Sequence, residues 1–192
     1  MKHIVLPASF ITLLTAALFA TPHPARAAAM HNMPMAGTPT HNTPTCPSPD
    51  SALPAAPDSW RSPTPITAAT NEAALPKATL TPGKAALVHL ANTPDISFAT
   101  RPGEPGDNTS SGGMVSFTVP IAGTWQIMLS HRAWIDLLSN GTAVISTGHH
   151  HGPACSGIGK IVEFPLRPDT TYTLQLSGSS KPDIEVMVAP AK

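Results

Sequence analysis

The segment Ser146-Thr-Gly-His-His-His-Gly-Pro-Ala-Cys-Ser-Gly-Ile158 concentrates the side chains of this sequence best suited to chemistry. His149 and His151 lie two apart, so on an extended backbone they project to one side and can converge on a single ion. His150 then points the other way. Cys155, four residues beyond His151, adds a sulfur. An imidazole pair with a third N, S or O donor suits Zn²⁺ or Cu²⁺, whereas Mg²⁺ and Ca²⁺ demand oxygen ligands that this loop lacks. The expected cofactor is therefore a copper or zinc ion. His131 and His89 are candidates for the third donor, provided the fold brings them near. Each of them alone reads as readily as a structural histidine, and the histidine run reads also as a solvated loop.

A second donor set lies near the N-terminus in Met30-His31-Asn32-Met33-Pro34-Met35, followed by His41 and Cys46. Thioether sulfur with imidazole is a soft combination that favours Cu(I), so His31, Met33 and Met35 form a secondary soft-metal cluster. The competing reading is an accident of composition. The two cysteines have two readings as well. An even count in an oxidising compartment favours one disulfide, Cys46 to Cys155, closing a loop of more than a hundred residues. Thiolate ligation of a soft metal is the alternative.

The compartment follows from the first residues. Lys2 and His3 precede an apolar run from Ile4 to Ala20, and Ala25-Arg26-Ala27 offers small residues where a signal peptidase reads. Residues 1–27 are expected to be a signal peptide cleaved after Ala27. Pro7, Pro22 and Pro24 make the stretch a poor membrane span, so the mature chain is expected to hold no transmembrane segment and to be periplasmic or secreted. Losing Lys2 and Arg26 leaves two more acidic than basic side chains. A chain with balanced charge, 11 basic and 11 acidic residues in 192, has no basic groove for nucleic acid. Its 23 prolines exclude a helical bundle, because each removes a backbone donor and clashes with the preceding turn.

From Ala28 to Pro76, prolines alternate with Ala, Thr and Ser without apolar periodicity, the makeup of a flexible arm. Residues 77–192 are expected to fold as an all-β domain. Candidate strands are Ala85 to Leu90, Asp95 to Ala99, Met114 to Val119, Thr124 to Ser130, Trp134 to Leu138, Ala143 to Ser146, Lys160 to Leu166, Thr171 to Ser177 and Ile184 to Val188. Asn140-Gly141 signals a two-residue hairpin, since both central positions of a type I′ turn need positive φ. Thr100 to Gly113 reads as a long mobile loop. Eight or nine strands in this length imply a β-sandwich or jelly roll.

The strands also repeat. Val115-x-Phe117-x-Val119 matches Val162-x-Phe164-x-Leu166, and Trp125-x-Ile127-x-Leu129-Ser130 matches Tyr172-x-Leu174-x-Leu176-Ser177, at one offset of 47 residues. A constant offset through two strands and their turn marks a duplicated unit. Alternation then predicts a core of Phe117, Trp125, Ile127, Leu129, Phe164, Tyr172, Leu174 and Leu176. The histidine segment is the connector between the two copies.

The stretch from Val115 to Val188, with Gly123-Thr124-Trp125, Ala133-Trp134-Ile135-Asp136, His149-x-His151-Gly152-Pro153-x-Cys155-Ser156 and Tyr172-Thr-Leu-Gln-Leu-Ser-Gly178, resembles a poorly characterised family of small exported bacterial proteins. The strand repeat is similar to the bacterial pre-peptidase C-terminal type of β-sandwich. Some members of the exported family carry the label homogentisate 1,2-dioxygenase, which implies an iron held by two histidines and a carboxylate. The nearest acid after the loop here is Glu163. Lys160 follows Gly159 where relatives are expected to have a basic residue.

Other chemistries lack their signatures. No Gly-x-Ser-x-Gly elbow occurs, and no phosphate-cradling glycine loop precedes a helix. Asp136, Glu163, Asp183 and Glu185 read as acids on solvated strand ends rather than as a glycosidase pair. The sequence thus predicts a non-catalytic, exported transition-metal-binding protein for buffering, delivery or resistance, with a metal ion and another periplasmic protein as partners. The alternatives are an adhesion or interaction β-sandwich with a structural disulfide, and a small metal-dependent oxygenase.

Overall fold

The computed structural model describes residues 57–191. The signal segment, the donors His31, Met33 and Met35, and Cys46 lie outside the described residues. Eleven strands are described: β1 (Thr64–Thr67), β2 (Ala85–His89), β3 (Ala91–Asn92), β4 (Ser111–Phe117), β5 (Gly123–Leu129), β6 (Trp134–Ser139), β7 (Thr142–Ala143), β8 (Gly148–His150), β9 (Lys160–Leu166), β10 (Tyr172–Ser179) and β11 (Asp183–Pro190). They form a six-stranded sheet in the order β1-β2-β11-β5-β9-β8 and a five-stranded sheet in the order β3-β4-β10-β6-β7. Only β1 and β2 run parallel among the paired strands described. The all-β sandwich expected from alternation is the fold. No helix among the described residues is long and apolar enough to cross a membrane.

The duplication explains the topology. In the first copy β4, β5 and β6 fall in the five-, six- and five-stranded sheets; in the second, β9, β10 and β11 fall in the six-, five- and six-stranded sheets. The middle strand of each copy therefore lies between the outer strands of the other, β5 between β11 and β9, β10 between β4 and β6. The pairing is equivalent in both sheets. Trp125 opposes Phe164 in one, and Tyr172 opposes Phe117 in the other. Neither copy can bury its apolar face alone, so the two fold as one interlocked unit. The eight core residues expected from alternation all lie in the main cluster, with Ile127, Leu129, Leu174 and Leu176 fully buried. Each such side chain contributes about 1.5–3 kcal/mol of transfer free energy. The rings of Phe117 and Tyr172 stack with centroids 5.6 Å apart.

A second, smaller cluster covers the outer face of the six-stranded sheet: Trp60, Ala85, Met128, Ile158, Ile161 and Met187. Its Trp60 corrects the expected boundary of the arm. Residues from Pro57 to Pro76 belong to the sandwich: β1 pairs with β2, and Trp60, Ala68 and Ala69 are buried. Pro65 is compatible with β1 because an edge strand has one side on which a missing donor breaks no ladder.

Three further expectations change. Asp95 to Ala99 is not a strand, because Pro94 starts a short 3₁₀ turn, Thr93–Asp95. Ala143 to Ser146 contributes only Thr142–Ala143 to a strand, after which the chain crosses to the other sheet and forms β8. The Asn140-Gly141 hairpin joins β6 to β7 as expected, with φ of 50° and 75°. The segment after Thr100 is a loop, but it is pinned to the five-stranded sheet. Thr100 N–H donates to Gln175 Oε1 at 3.0 Å, Gly103 N–H to Asp136 Oδ2 at 3.0 Å, and Ser177 Oγ to the Glu104 carbonyl at 2.7 Å. Gln175 and Ser177 are fully buried, so these bonds satisfy groups that could not otherwise lie under the loop.

Candidate functional site

The connector between the two copies closes one side of the sandwich. Val144 N–H donates to the Leu137 carbonyl of β6, and Thr147 N–H to the Glu163 carbonyl of β9, so residues 144–147 pass from one sheet to the other. The chain then pairs with β9 as β8, placing His149 opposite Val162 and His150 opposite Ile161. Directly opposed residues share a face of a sheet. Val162 belongs to the main core and Ile161 to the outer cluster. His149 therefore goes to the inner side and His150 to the outer.

His151 does not continue the alternation. The strand ends at His150, and His151 Nδ1 lies 3.0 Å from the Gly159 carbonyl oxygen. His150 and His151 line one recess of about 390 Å³ on the outer face, with Gln126, Met128, Pro153 and Ile158. His149 lines a different cavity of about 420 Å³ at the mouth between the sheets. The expected convergence of His149 and His151 on one side is thus not the observed arrangement. The two-residue alternation is imposed by pairing in the sheet, and that pairing ends at His150.

The return of the loop is tightly built. A Cβ on Gly152 would lie 2.3 Å from the Ile158 carbonyl oxygen, so only glycine fits there. Fully buried Ser156 donates from Oγ to the Pro153 carbonyl at 2.7 Å and accepts from Ile158 N–H at 3.1 Å. Cys155 and Gly157 take positive φ, 61° and 73°, which turns the chain back toward β9. Cys155 carries no free thiol.

The Gly159 carbonyl fixes the chemistry of His151. A carbonyl oxygen only accepts, so Nδ1 carries the proton in the neutral ring and Nε2 keeps its lone pair. Metal-binding histidines are oriented by this kind of bond, one nitrogen held by a carbonyl or carboxylate and the other presented to the ion. His131 contrasts with this. Its Nδ1 lies 3.1 Å from Ser130 Oγ and its Nε2 3.1 Å from Ser179 Oγ, so both nitrogens are engaged. Burial, and then the Lys181 ammonium, hold its pKa below the usual imidazole value. His89 pairs with Asp183 across β2 and β11, remote in the sheet order from β8. Glu163 sits on the outer side opposite Gln126, whose Nε2 donates to its carboxylate at 3.0 Å. Among the described residues, no three His, Cys, Asp or Glu side chains gather closely enough to hold an ion by themselves.

Several residues at these two recesses were not singled out by their spacing. Trp134, 40% exposed, and Lys160 stand at the mouth, with Lys160 Nζ 5.6 Å from the centre of the indole. Parity held the signal for Trp134: Ile135 and Leu137 face inward, so Trp134 must face out. His150 and Met128 become neighbours of the outer recess only through the pairing of β8, β9 and β5. No protein-family model matches the chain, and no curated protein matches it.

Proposed function

We propose that the chain is an exported, non-catalytic β-sandwich that binds copper or zinc at the outer end of its histidine connector. The anchored ring of His151 carries this reading, because its Nδ1 bond to Gly159 leaves Nε2 as a ligand on the same recess as His150. Two imidazoles with exchangeable positions suit uptake and transfer of an ion better than permanent storage, in line with buffering, delivery or resistance. His31, Met33 and Met35 belong to the same proposal as a softer second set. The export reading draws on the N-terminal sequence and on the resemblance to small exported bacterial proteins. The experiment is competitive titration of Cu(I), Cu(II) and Zn(II) into untagged protein and into His149→Ala, His150→Ala and His151→Ala. Loss of uptake in the His150 and His151 variants, with His149→Ala unchanged, is the expected result. Equal uptake by all four proteins would refute it.

A second reading, an interaction module stapled by Cys46 and Cys155, is favoured by the lack of a free thiol at Cys155. It is compatible with the first, since a bridged Cys155 leaves the histidines available. Intact mass after alkylation without reductant should then show neither cysteine modified, and modification of both would remove the staple.

A further inference from the structure

The mouth between the sheets is a separate site. Its walls are Ile135, Leu137, Val144 and Phe164, and it opens to solvent beside Ile145, which is 77% exposed. A cavity of about 420 Å³ with apolar walls lies in the range that takes a small organic ligand. The polar groups at its rim are unequal. Asp136 is already committed, one oxygen accepting from Trp134 Nε1 at 3.0 Å and the other from Gly103 N–H at 3.0 Å. Lys160 reaches across from β9 and donates to the Ala133 carbonyl at 2.8 Å. An ammonium has three donors, so that bond leaves capacity for an anion. The ammonium is also half-buried and near the Arg132 guanidinium; burial and then that guanidinium depress its pKa, while Asp136 works against them. Arg132 shares with Lys160 a second depression at the same rim, where Glu104 is the facing acid. His149 stands on the opposite rim.

We propose that this mouth binds a small amphipathic anion, an aromatic or branched carboxylate or sulfonate, with its apolar body between the sheets and its charge against Lys160. Charge complementarity favours the anion: both Asp136 oxygens are held by the indole and by Gly103 N–H, whereas Lys160 and Arg132 repel each other and are relieved by a negative group. Trp134 supplies a flat apolar flank beside that group. The site is independent of the metal reading, as it uses neither His150 nor His151.

The test is fluorescence titration of the full chain with 8-anilinonaphthalene-1-sulfonate, alongside the uncharged N-phenyl-1-naphthylamine. Saturable one-to-one binding of the sulfonate is expected, weakened about tenfold in Lys160→Met and severalfold in Arg132→Gln, with the uncharged probe unaffected by either. Ala143→Trp, at an exposed position lining the cavity, should block both probes. Lys160→Arg keeps the charge and should keep binding, which separates loss of charge from loss of fold. Sulfonate binding unchanged in Lys160→Met, or unchanged in Ala143→Trp, or non-saturable in the wild type, would overturn the proposal.

Discussion

His131 and His151 flank the same piece of backbone and do opposite things with it. Gly159 accepts from His151 through its carbonyl, and its Cα packs so closely on the chain at His131 that a Cβ there would lie 2.8 Å from the Ser130 carbonyl oxygen and 3.1 Å from His131 Cα. His131 has spent both nitrogens on hydroxyls and is partly buried, so it serves the fold. His151 has spent one on a carbonyl and faces a recess, so it can serve a ligand. On the proposed reading, ligand capacity depends on the second nitrogen's partner, not on the presence of an imidazole.

The largest effect joins the two roles and comes from the glycine that closes the loop. Gly152→Ala places a Cβ against backbone at Ile158, and overpacking of this kind costs about 1–3 kcal/mol. Chemical denaturation should show that loss, and metal uptake should fall with it because His151 is displaced. His151→Ala should divide the two effects. Metal affinity is expected to drop about a hundredfold by competitive titration, while the unfolding free energy stays within about 0.5 kcal/mol of wild type. His131→Ala should do the reverse, costing about 1–2 kcal/mol of stability through two lost hydrogen bonds and leaving metal affinity unchanged. A His131→Ala protein that lost its metal would erase the distinction.

The smallest effect is in pH. His131 has a folded pKa below its unfolded value, so the unfolded chain binds more protons in that interval. Its contribution is fully present above the unfolded value of about 6.5 and is lost as pH falls toward the folded value. Glu185 has the opposite sign: burial raises its carboxyl, so its contribution is present at low pH and lost as pH rises through the folded value. Subtracting the stability profile of His131→Gln from that of wild type isolates the histidine. The difference should grow more favourable to wild type as pH rises through the imidazole range, and a flat difference would mean that His131 is as solvated folded as unfolded.

How much of this the sequence discloses depends on the range of the interaction. Period-two alternation is local, and it located the core at Phe117, Trp125, Phe164 and Tyr172 along with the duplication. β1 is hidden because Pro65 obscures a strand whose one partner among the described residues lies 22 residues on in register, and Trp60 because the face it covers is built from four distant segments. The site is legible in composition but not in arrangement. His149 and His151 differ in side because the strand stops at His150, a boundary set by the close approach of Gly152 to Ile158 and by the Ser156 hydrogen bonds. The mouth with Lys160 and Trp134 arises only when the copies interlock, so neither copy alone announces it.

The central claim is that the ion binds through Nε2 of His151 and through His150, away from His149. Two-bond ¹⁵N–¹H correlation of the imidazoles, recorded with and without one equivalent of Zn²⁺, tests this most directly. An Nδ1–H tautomer is expected for His151 before metal, with a shift of its Nε2 and of one His150 nitrogen on binding, and with His149, His131 and His89 unmoved. Coordinated shifts at His149 or His131, or no shift at any histidine, would contradict it.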